Sequence, residues 1–516
     1  MFRRLRPQPT VEEADVRHGM RVLFLEGVFV QTMYALTTGA FLVGFALLWG
    51  ASNKVIGILS AIGPLSQTLQ VPAVYLVEKT RHRKALLVST SAVSRIVWMV
   101  VAVIPFFAPR SLIIPCLLAA LAVHWGLGAI GGCAFNSWLR DLIPETSTAT
   151  FFARRFALAI GAGALFSLAG GYGVDVWREW FGSGGGAYSV LFALAALFGV
   201  ASSVLLAHTP EPQMPPGEGM TFAGIIREPL RNRNYRHLLV FLGWWSFAIN
   251  LAAPFFAVYL LERLGLSMAW VLALTVLSQL VNVSCFNFWA RLADRFSNKS
   301  VLTVCGPMFI MTLLLWPLTT LPDPYVMTIP ILLLIHVLAG ISTAGITLCS
   351  WNLALKSAPY GKGASYLAVN ALISGLAASI SPIIGGFAAD WFASEELTLT
   401  LRLVSSVGRH REYLVPTIDF QGLDFVFLIA FVLGLYSLHR LLSVREKGDV
   451  DETIVRQAVL VEMGRAIRQV STVAGVREVL VFPSSLIRQL RRKGAPRPSG
   501  PTTADDPGRI GGAAPL

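Results

Sequence analysis

The chain has 516 residues, of which 54% are hydrophobic and 14% charged, with a mean hydropathy of +0.63 and a formal net charge of +13. A soluble globular protein carries about 25% charged residues, whereas residues 1–443 hold only 30 basic and 21 acidic side chains, too few to clothe a water-facing surface. A soluble enzyme, a disordered chain and a secreted disulfide scaffold are disfavoured, and a polytopic membrane protein is favoured.

The first twenty residues are polar and lack an apolar core followed by a small-residue cleavage site, so no cleaved secretory signal is expected. A hydrocarbon core of about 30 Å takes roughly 20 helical residues to cross. Twelve apolar segments qualify, at 22–49, 54–77, 85–107, 112–139, 151–175, 187–207, 237–261, 266–290, 300–320, 325–355, 363–391 and 421–443. They are long and apolar on all sides, unlike the alternating segments of about ten residues in a membrane β-barrel. Lys and Arg number 24 in the two ends and alternate loops but seven in the opposite loops, which predicts a cytoplasmic membrane with both termini in the cytoplasm. That asymmetry also explains the net charge without nucleic acid. All five cysteines fall inside apolar stretches without paired loop spacing, so neither disulfides nor a zinc site are indicated.

The segment 208–236 contains TPEPQMPPGEG and a basic stretch, and it separates six spans from six. Pro144 is followed 26, 27 and 31 residues later by Gly170, Gly171 and Asp175, and Pro359 at the same intervals by Gly385, Gly386 and Asp390. A shift of 216 places Glu78 on Asp294, Lys79 on Arg295 and Arg83 on Lys299. Two landmarks at nearly one offset predict parallel six-helix repeats, 1–207 and 237–443, with an external insertion at 393–420 and a cytoplasmic tail at 444–516.

The stretch ARLADRFSNK (290–299) resembles the loop signature of the major facilitator superfamily, with Ala290 and Ser297 in place of glycines. Its first-half copy, VYLVEKTRHRK (74–84), keeps the acid and the basic cluster but neither glycine; SPIIGG (381–386) is similar to a Gly-Pro helix pattern of the superfamily. The resemblance spans residues 20–443. It implies an all-α membrane protein of twelve helices in two six-helix repeats, a secondary transporter whose halves rock about a central path. The loop motif is a latch in that family. It implies that Asp294 and Glu78 face helix N-termini or basic partners across the half-interface and that Arg83 or Lys84 pairs with Asp141; Arg295 and Lys299 belong to the same cluster. The basic residues serve equally well to orient loops, whereas for Asp294 the latch role is the favoured one. Helix 5 reads FSLAGG and lacks the proline associated with antiport, which leaves antiport unsupported.

The resemblance also implies that helices 1, 4, 7 and 10 line the path. Their candidate substrate or coupling groups are Glu26, Gln31 and Tyr34; His124, Trp125, Asn136 and Trp138; Trp244 and Asn250; and His336 and Asn352. Glu26 lies about 7 Å into helix 1, shallow enough to snorkel, while Arg95 lies about 16 Å into helix 3 and could pair with Glu26 or with carbonyls and water. Glu26, His124 and His336 are the titratable candidates for a proton-coupled step, with Glu26 ranked first because His124 and His336, near mid-span, are as readily neutral histidines bonded to carbonyls. The tryptophans are packing or interface anchors as readily as substrate stackers. No metal, covalent-catalysis or phosphate-loop constellation is present, so neither a cofactor nor an enzymatic activity is expected. The expected partners are a small-molecule substrate, protons as a candidate coupling ion, and the lipid bilayer, with the chain acting as a monomer. A sensor or assembly factor that kept the fold is the alternative. The tail carries a predicted helix over 451–480 and a basic run, Arg488 to Lys493, suited to anionic lipid or to solvent alone.

Overall fold

The computed structural model describes residues 7–8, 12–214, 222–320, 324–359, 363–405 and 411–446. The tail helix and its basic run, and the middle of the 208–236 connection, lie outside the described residues. Eleven described helices are long and apolar enough to cross a membrane, and a pair bent by 45°, Asn53–Leu69 with Pro72–Thr80, makes twelve when taken as one span. Pro64 and Pro72 flank that bend, where each lacks a backbone donor for the helical ladder.

The first span is broken. Helix α1 (Glu13–Thr37) stops at Thr38, and α2 (Ala40–Leu48) restarts after Gly39, whose φ of +60° suits a residue without Cβ. The freed Tyr34 carbonyl is satisfied by the Thr38 N–H at 3.0 Å and the Thr38 hydroxyl at 2.7 Å. The second span is α3 (Asn53–Ser66) and α4 (Gln70–Thr80), followed by α5 (Arg83–Phe107), α6 (Arg110–Leu142), α7 (Glu145–Phe181) and α8 (Gly185–His208). After the short helix α9 (Phe222–Arg231), the second half comprises α10 (Arg233–Val258), α11 (Met268–Arg295), α12 (Asn298–Leu315), α13 (Thr328–Lys356), α14 (Gly363–Trp391) and α15 (Leu423–Leu441). Helix α10 runs into a π-helical turn, Tyr259–Arg263.

Packing repeats after six spans. In the first half α1 packs on α7 and α8, and α5 on α6 and α8; in the second α10 packs on α14 and α15, and α12 on α13 and α15. The halves meet along two seams, α3 with α14 and α7 with α11, which the repeat also exchanges. Small residues make the seams close: a Cβ at Gly57 would collide with the Pro382 carbonyl and one at Gly386 with the Asn53 carbonyl.

The insertion forms the single strand pair among the described residues, β1 (Glu396–Ser405) against β2 (Arg411–Gln421), antiparallel, with a register shift after Leu399. An all-helical chain was expected; alternation such as LTLTLRLV suits a strand, and its two termini close a hairpin before α15. Arg263 Nη1 donates to Gln421 Oε1 at 2.7 Å and ties the hairpin's base to the end of the seventh span. The face bearing this hairpin is called the hairpin face below. The opposite, termini face carries Gln8 against Glu211 and Gln213, and Asn234 against Arg445.

Candidate substrate cavity and gates

A cavity of about 400 Å³ lies between the halves. Its first-half wall comes from α1 and α7 and from the Thr38–Gly39 break; its second-half wall comes from α10 to α13. The polar lining is Gln31, Tyr34, Thr38, Ser167, Thr275, Ser278, Gln279, Thr312 and His336, set among Phe256, Phe309 and Trp316. A second space of about 410 Å³ shares Gln31, Ile160, Thr275, Ser278 and Gln279 and extends to Asn282 and Thr343, toward the termini face. Two places where the spans depart from α geometry, the α1–α2 break and the π turn at Leu260, touch the cavity. Irregular backbone at membrane depth is tolerated where it borders protein or water rather than lipid.

Helices 1, 7 and 10 contribute to this wall as expected, but helix 4 does not; helices 5, 8 and 9 take part instead. Of the candidate groups, Gln31, Tyr34 and His336 reach the cavity. His336 Nδ1 bonds the Leu332 carbonyl at 2.8 Å, which assigns the proton to Nδ1 and leaves Nε2 the acceptor, and its ring meets Trp316 edge-on at 5.9 Å. Trp125 stacks on Tyr34 at 5.8 Å and so backs the wall. His124 is buried against helix α5: its Nδ1 is 2.8 Å from the Ser94 carbonyl and Trp98 Nε1 donates to its Nε2 at 3.4 Å. Both ring nitrogens are thereby occupied in the neutral form, the arrangement of a packed histidine. Trp138 is fully buried and donates to the Pro210 carbonyl at 2.9 Å, anchoring the connection after α8. Asn250 donates to the Ser246 carbonyl of its own helix, Asn136 is exposed, and Asn352 is half-buried away from the cavity. Trp244 is partly exposed in an outer apolar groove with Leu239, Gly243 and Ile373. Sequence reasoning missed Thr38, Ser167, Thr275, Ser278, Gln279 and Thr312; the mid-span amide of Gln279 was the available signal.

Glu26 does not snorkel. It is 2% exposed and accepts from Arg155 Nη2 at 2.6 Å and from the Ser202 hydroxyl at 2.9 Å, with Arg95 Nη2 at 3.7 Å. Arg155 also donates to the Leu23 carbonyl at 3.0 Å, and Arg95 to the Ser203 hydroxyl at 2.8 Å and the Gly199 carbonyl at 3.2 Å. Arg155, counted in the sequence as a loop charge, lies inside because α7 begins ten residues before it. Gly27 and Gly199 make room: a Cβ at the first would crowd Arg155 Nε at 2.7 Å, and one at the second Arg95 Cβ at 2.9 Å. One carboxylate and two guanidinium groups thus form a cluster inside the first half, outside the cavity lining.

On the hairpin face the halves are held together by two carboxylates at helix N-termini. Asp175 of α7 accepts from the backbone N–H groups of Met268 and Ala269 at 2.9 and 2.8 Å, at the start of α11. Asp390 of α14 accepts from those of Asn53 and Lys54 at 3.1 and 3.2 Å, at the start of α3. Donors and acceptors are related by the same shift of 215 residues, so the two caps are repeats of one contact. One turn earlier, Gly171 and Gly386 lie against the same helix starts.

The family model of the Major Facilitator Superfamily matches residues 23–400. The chain belongs to the major facilitator superfamily. Solved structures agree on the fold: a nucleoside transporter, NupG, in a D323A mutant (TM-score 0.62, 11% identity, 84% of this chain and 100% of that one); a bacterial homologue of the human lysosomal transporter Spinster, inward-facing and unoccupied (0.61, 14%, 84% and 98%); and the xylose transporter XylE from E. coli, inward-open (0.58, 13%, 86% and 99%). No curated protein sequence matches the chain.

The superfamily loop motif sits on the termini face. Glu78 and Asp294 are exposed, and among the described residues neither accepts from a helix N-terminus. Arg83, fully buried, bonds Asp141 and donates to the Ser137 and Pro212 carbonyls at 3.0 and 2.8 Å. Lys84 is buried beside it. Arg295 stacks over the Phe296 ring at 5.2 Å, and the Lys299 backbone N–H donates to Glu446 at 2.8 Å. The acids at helix starts here are Glu446, which also accepts from Asn298 Nδ2 at 2.7 Å, and Glu211, 3.7 Å from Arg83 Nε beside the first amides of α5. Each follows the last span of its half and reaches back to the third. Burial pushes the Glu211 carboxyl above the usual carboxylate range, against the opposing pull of Lys84's amide and Arg83.

Proposed function

We propose that the chain is a secondary active transporter that carries a small solute across the cytoplasmic membrane by alternating access. The observation that carries this reading is the combination of paired caps closing the hairpin face with a polar cavity that extends toward the termini face. The excess of Lys and Arg at the termini face makes it cytoplasmic, so the described state is inward-facing. Breaking the caps frees the halves to rock and exposes the cavity to the outside.

Energy enters from a gradient. His336 is the titratable imidazole of the lining, with Nε2 as its proton acceptor, and we assign it the coupling step ahead of Glu26, whose carboxylate is engaged by Arg155 and Ser202. Purified protein in proteoliposomes tests both points, with labelled uridine and D-xylose as first probes because two fold relatives carry a nucleoside and xylose in their names. Saturable uptake that an inward proton gradient drives to accumulation, with accumulation but not exchange lost in His336→Gln, is the expected result. Accumulation undiminished in His336→Gln removes the histidine from coupling, and absence of flux for every probe counts against transport.

A further inference from the structure

Among the described residues, the cavity lining contains no Asp, Glu, Lys or Arg. Its continuation toward the termini face, from Gln31 and Gln279 to Asn282 and Thr343, is likewise uncharged. Resting on the transport reading above, we infer that the substrate is an uncharged solute rich in hydroxyl or amide groups, held chiefly by Gln31, Gln279 and Ser278.

Charge at membrane depth is what makes the inference possible. An ion in a low-dielectric site requires a counter-charge or a dense set of fixed dipoles, and lone buried charges are strongly disfavoured. The first half does possess membrane-depth charges, Glu26, Arg95 and Arg155, but they are spent on one another behind the wall. On α1, Glu26 and Gln31 are five residues apart and therefore about 140° apart around the axis, so the acid is turned away from the face that presents the amide. The chain thus places its permanent charges in structure, and the path holds neutral amides and hydroxyls together with the single imidazole of His336.

Amides suit neutral, hydrogen-bonding ligands because each offers two donors and an acceptor. Gln31 comes from the first half and Gln279 from the second, and both border the cavity and its continuation. A solute between them is contacted by both halves, as alternating access requires. Apolar and aromatic groups, Phe256 stacked on Trp316 at 4.7 Å among them, complete a wall suited to the carbon skeleton of such a molecule. The start of α2 offers backbone N–H groups at the same wall, and an anion bound there is the competing outcome.

The test is thermal-shift binding on the full-length protein in nanodiscs against two pools at equal concentration. One holds uncharged solutes (D-xylose, D-glucose, myo-inositol, uridine, adenosine), the other charged ones (succinate, glutamate, phosphate, spermidine, choline). Stabilisation by a member of the uncharged pool is expected, with affinity falling at least about tenfold in Gln279→Leu and in Gln31→Leu while the unliganded melting temperature stays within that of the parent. Stabilisation by a charged solute that either variant abolishes, or no stabilisation by any uncharged solute, overturns the assignment. Flux separates the two readings. An uncharged solute that binds but is never carried sinks transport and leaves the substrate class standing, whereas saturable flux of an ion does the reverse.

Discussion

Replacing Asp175 and Asp390 together by Asn is the direct way to unlock the hairpin face. Each carboxylate accepts two backbone N–H groups at the start of a helix in the opposite half, at 2.8–2.9 Å for Asp175 and 3.1–3.2 Å for Asp390. Asn keeps one acceptor oxygen, so one bond of each pair and the charge are lost. A negative group at a helix N-terminus is worth about 0.3–1 kcal/mol when exposed and up to about 2 kcal/mol when partly buried. Both aspartates are half-buried, which puts the loss near 1 kcal/mol per site and near 2 kcal/mol for the pair. At 1.4 kcal/mol per tenfold, the closed-to-open ratio at this face falls about 30-fold in the double variant. Asp175→Asn alone has the larger single effect because its bonds are shorter. Spin labels at the exposed positions Arg110 and Val326, in a background lacking the partly exposed Cys116, Cys133 and Cys285, report the separation of the halves here by pulsed electron–electron distance measurement. The double variant populates a longer distance. A distribution identical to the parent's, in protein that is folded and in lipid, would refute the assignment of these caps as the gate.

Gly386→Ala prevents the same closure by a different route, since its Cβ would meet the Asn53 carbonyl, whereas Gly173→Ala, with open space around it, leaves the distance unchanged; equal distributions for the two contradict the steric account. Glu26→Gln strands the Arg95 and Arg155 guanidinium groups in the first half without their carboxylate, and breaking a buried pair costs about 3–5 kcal/mol, so a large fall in melting temperature is expected ahead of any selective loss of coupling. Normal stability with lost accumulation would return Glu26 to the transport path. Because the folded-state pKa of Glu211 is raised by burial, its contribution is fully present below the unfolded value near 4.5 and is lost as pH rises through the folded value. Glu211→Gln, which cannot ionise, gains thermal stability over the parent at about pH 8 and loses that advantage near pH 4.5; a difference that does not change with pH argues against a buried, destabilised carboxylate.

Membrane class, twelve spans and the six-plus-six repeat were legible in the sequence because each rests on local quantities. Hydropathy over about twenty residues reports a span, and landmarks such as Pro144, Gly171 and Asp175 recurring at Pro359, Gly386 and Asp390 report the repeat. Asp175 and Asp390 even stood in that sequence argument, but only as markers of symmetry. That each caps a helix of the other half depends on which spans form the seams, and helix–helix partners are set by small residues meeting in space, Gly386 on Asn53 and Gly57 on Pro382. The polar residues of the spans posed the same problem. Glu26 and Gln31 look alike along the chain, both polar in one apolar run, yet the turn of α1 sends one to Arg155 and the other to the cavity. Arg155 looked like a loop charge because it stands beside Arg154 at the start of an apolar run, and its burial follows from α7 beginning at Glu145 and from Gly27 leaving space for its guanidinium. Composition decides that a residue at membrane depth must be satisfied; only the packing of helices distant in the chain decides by what.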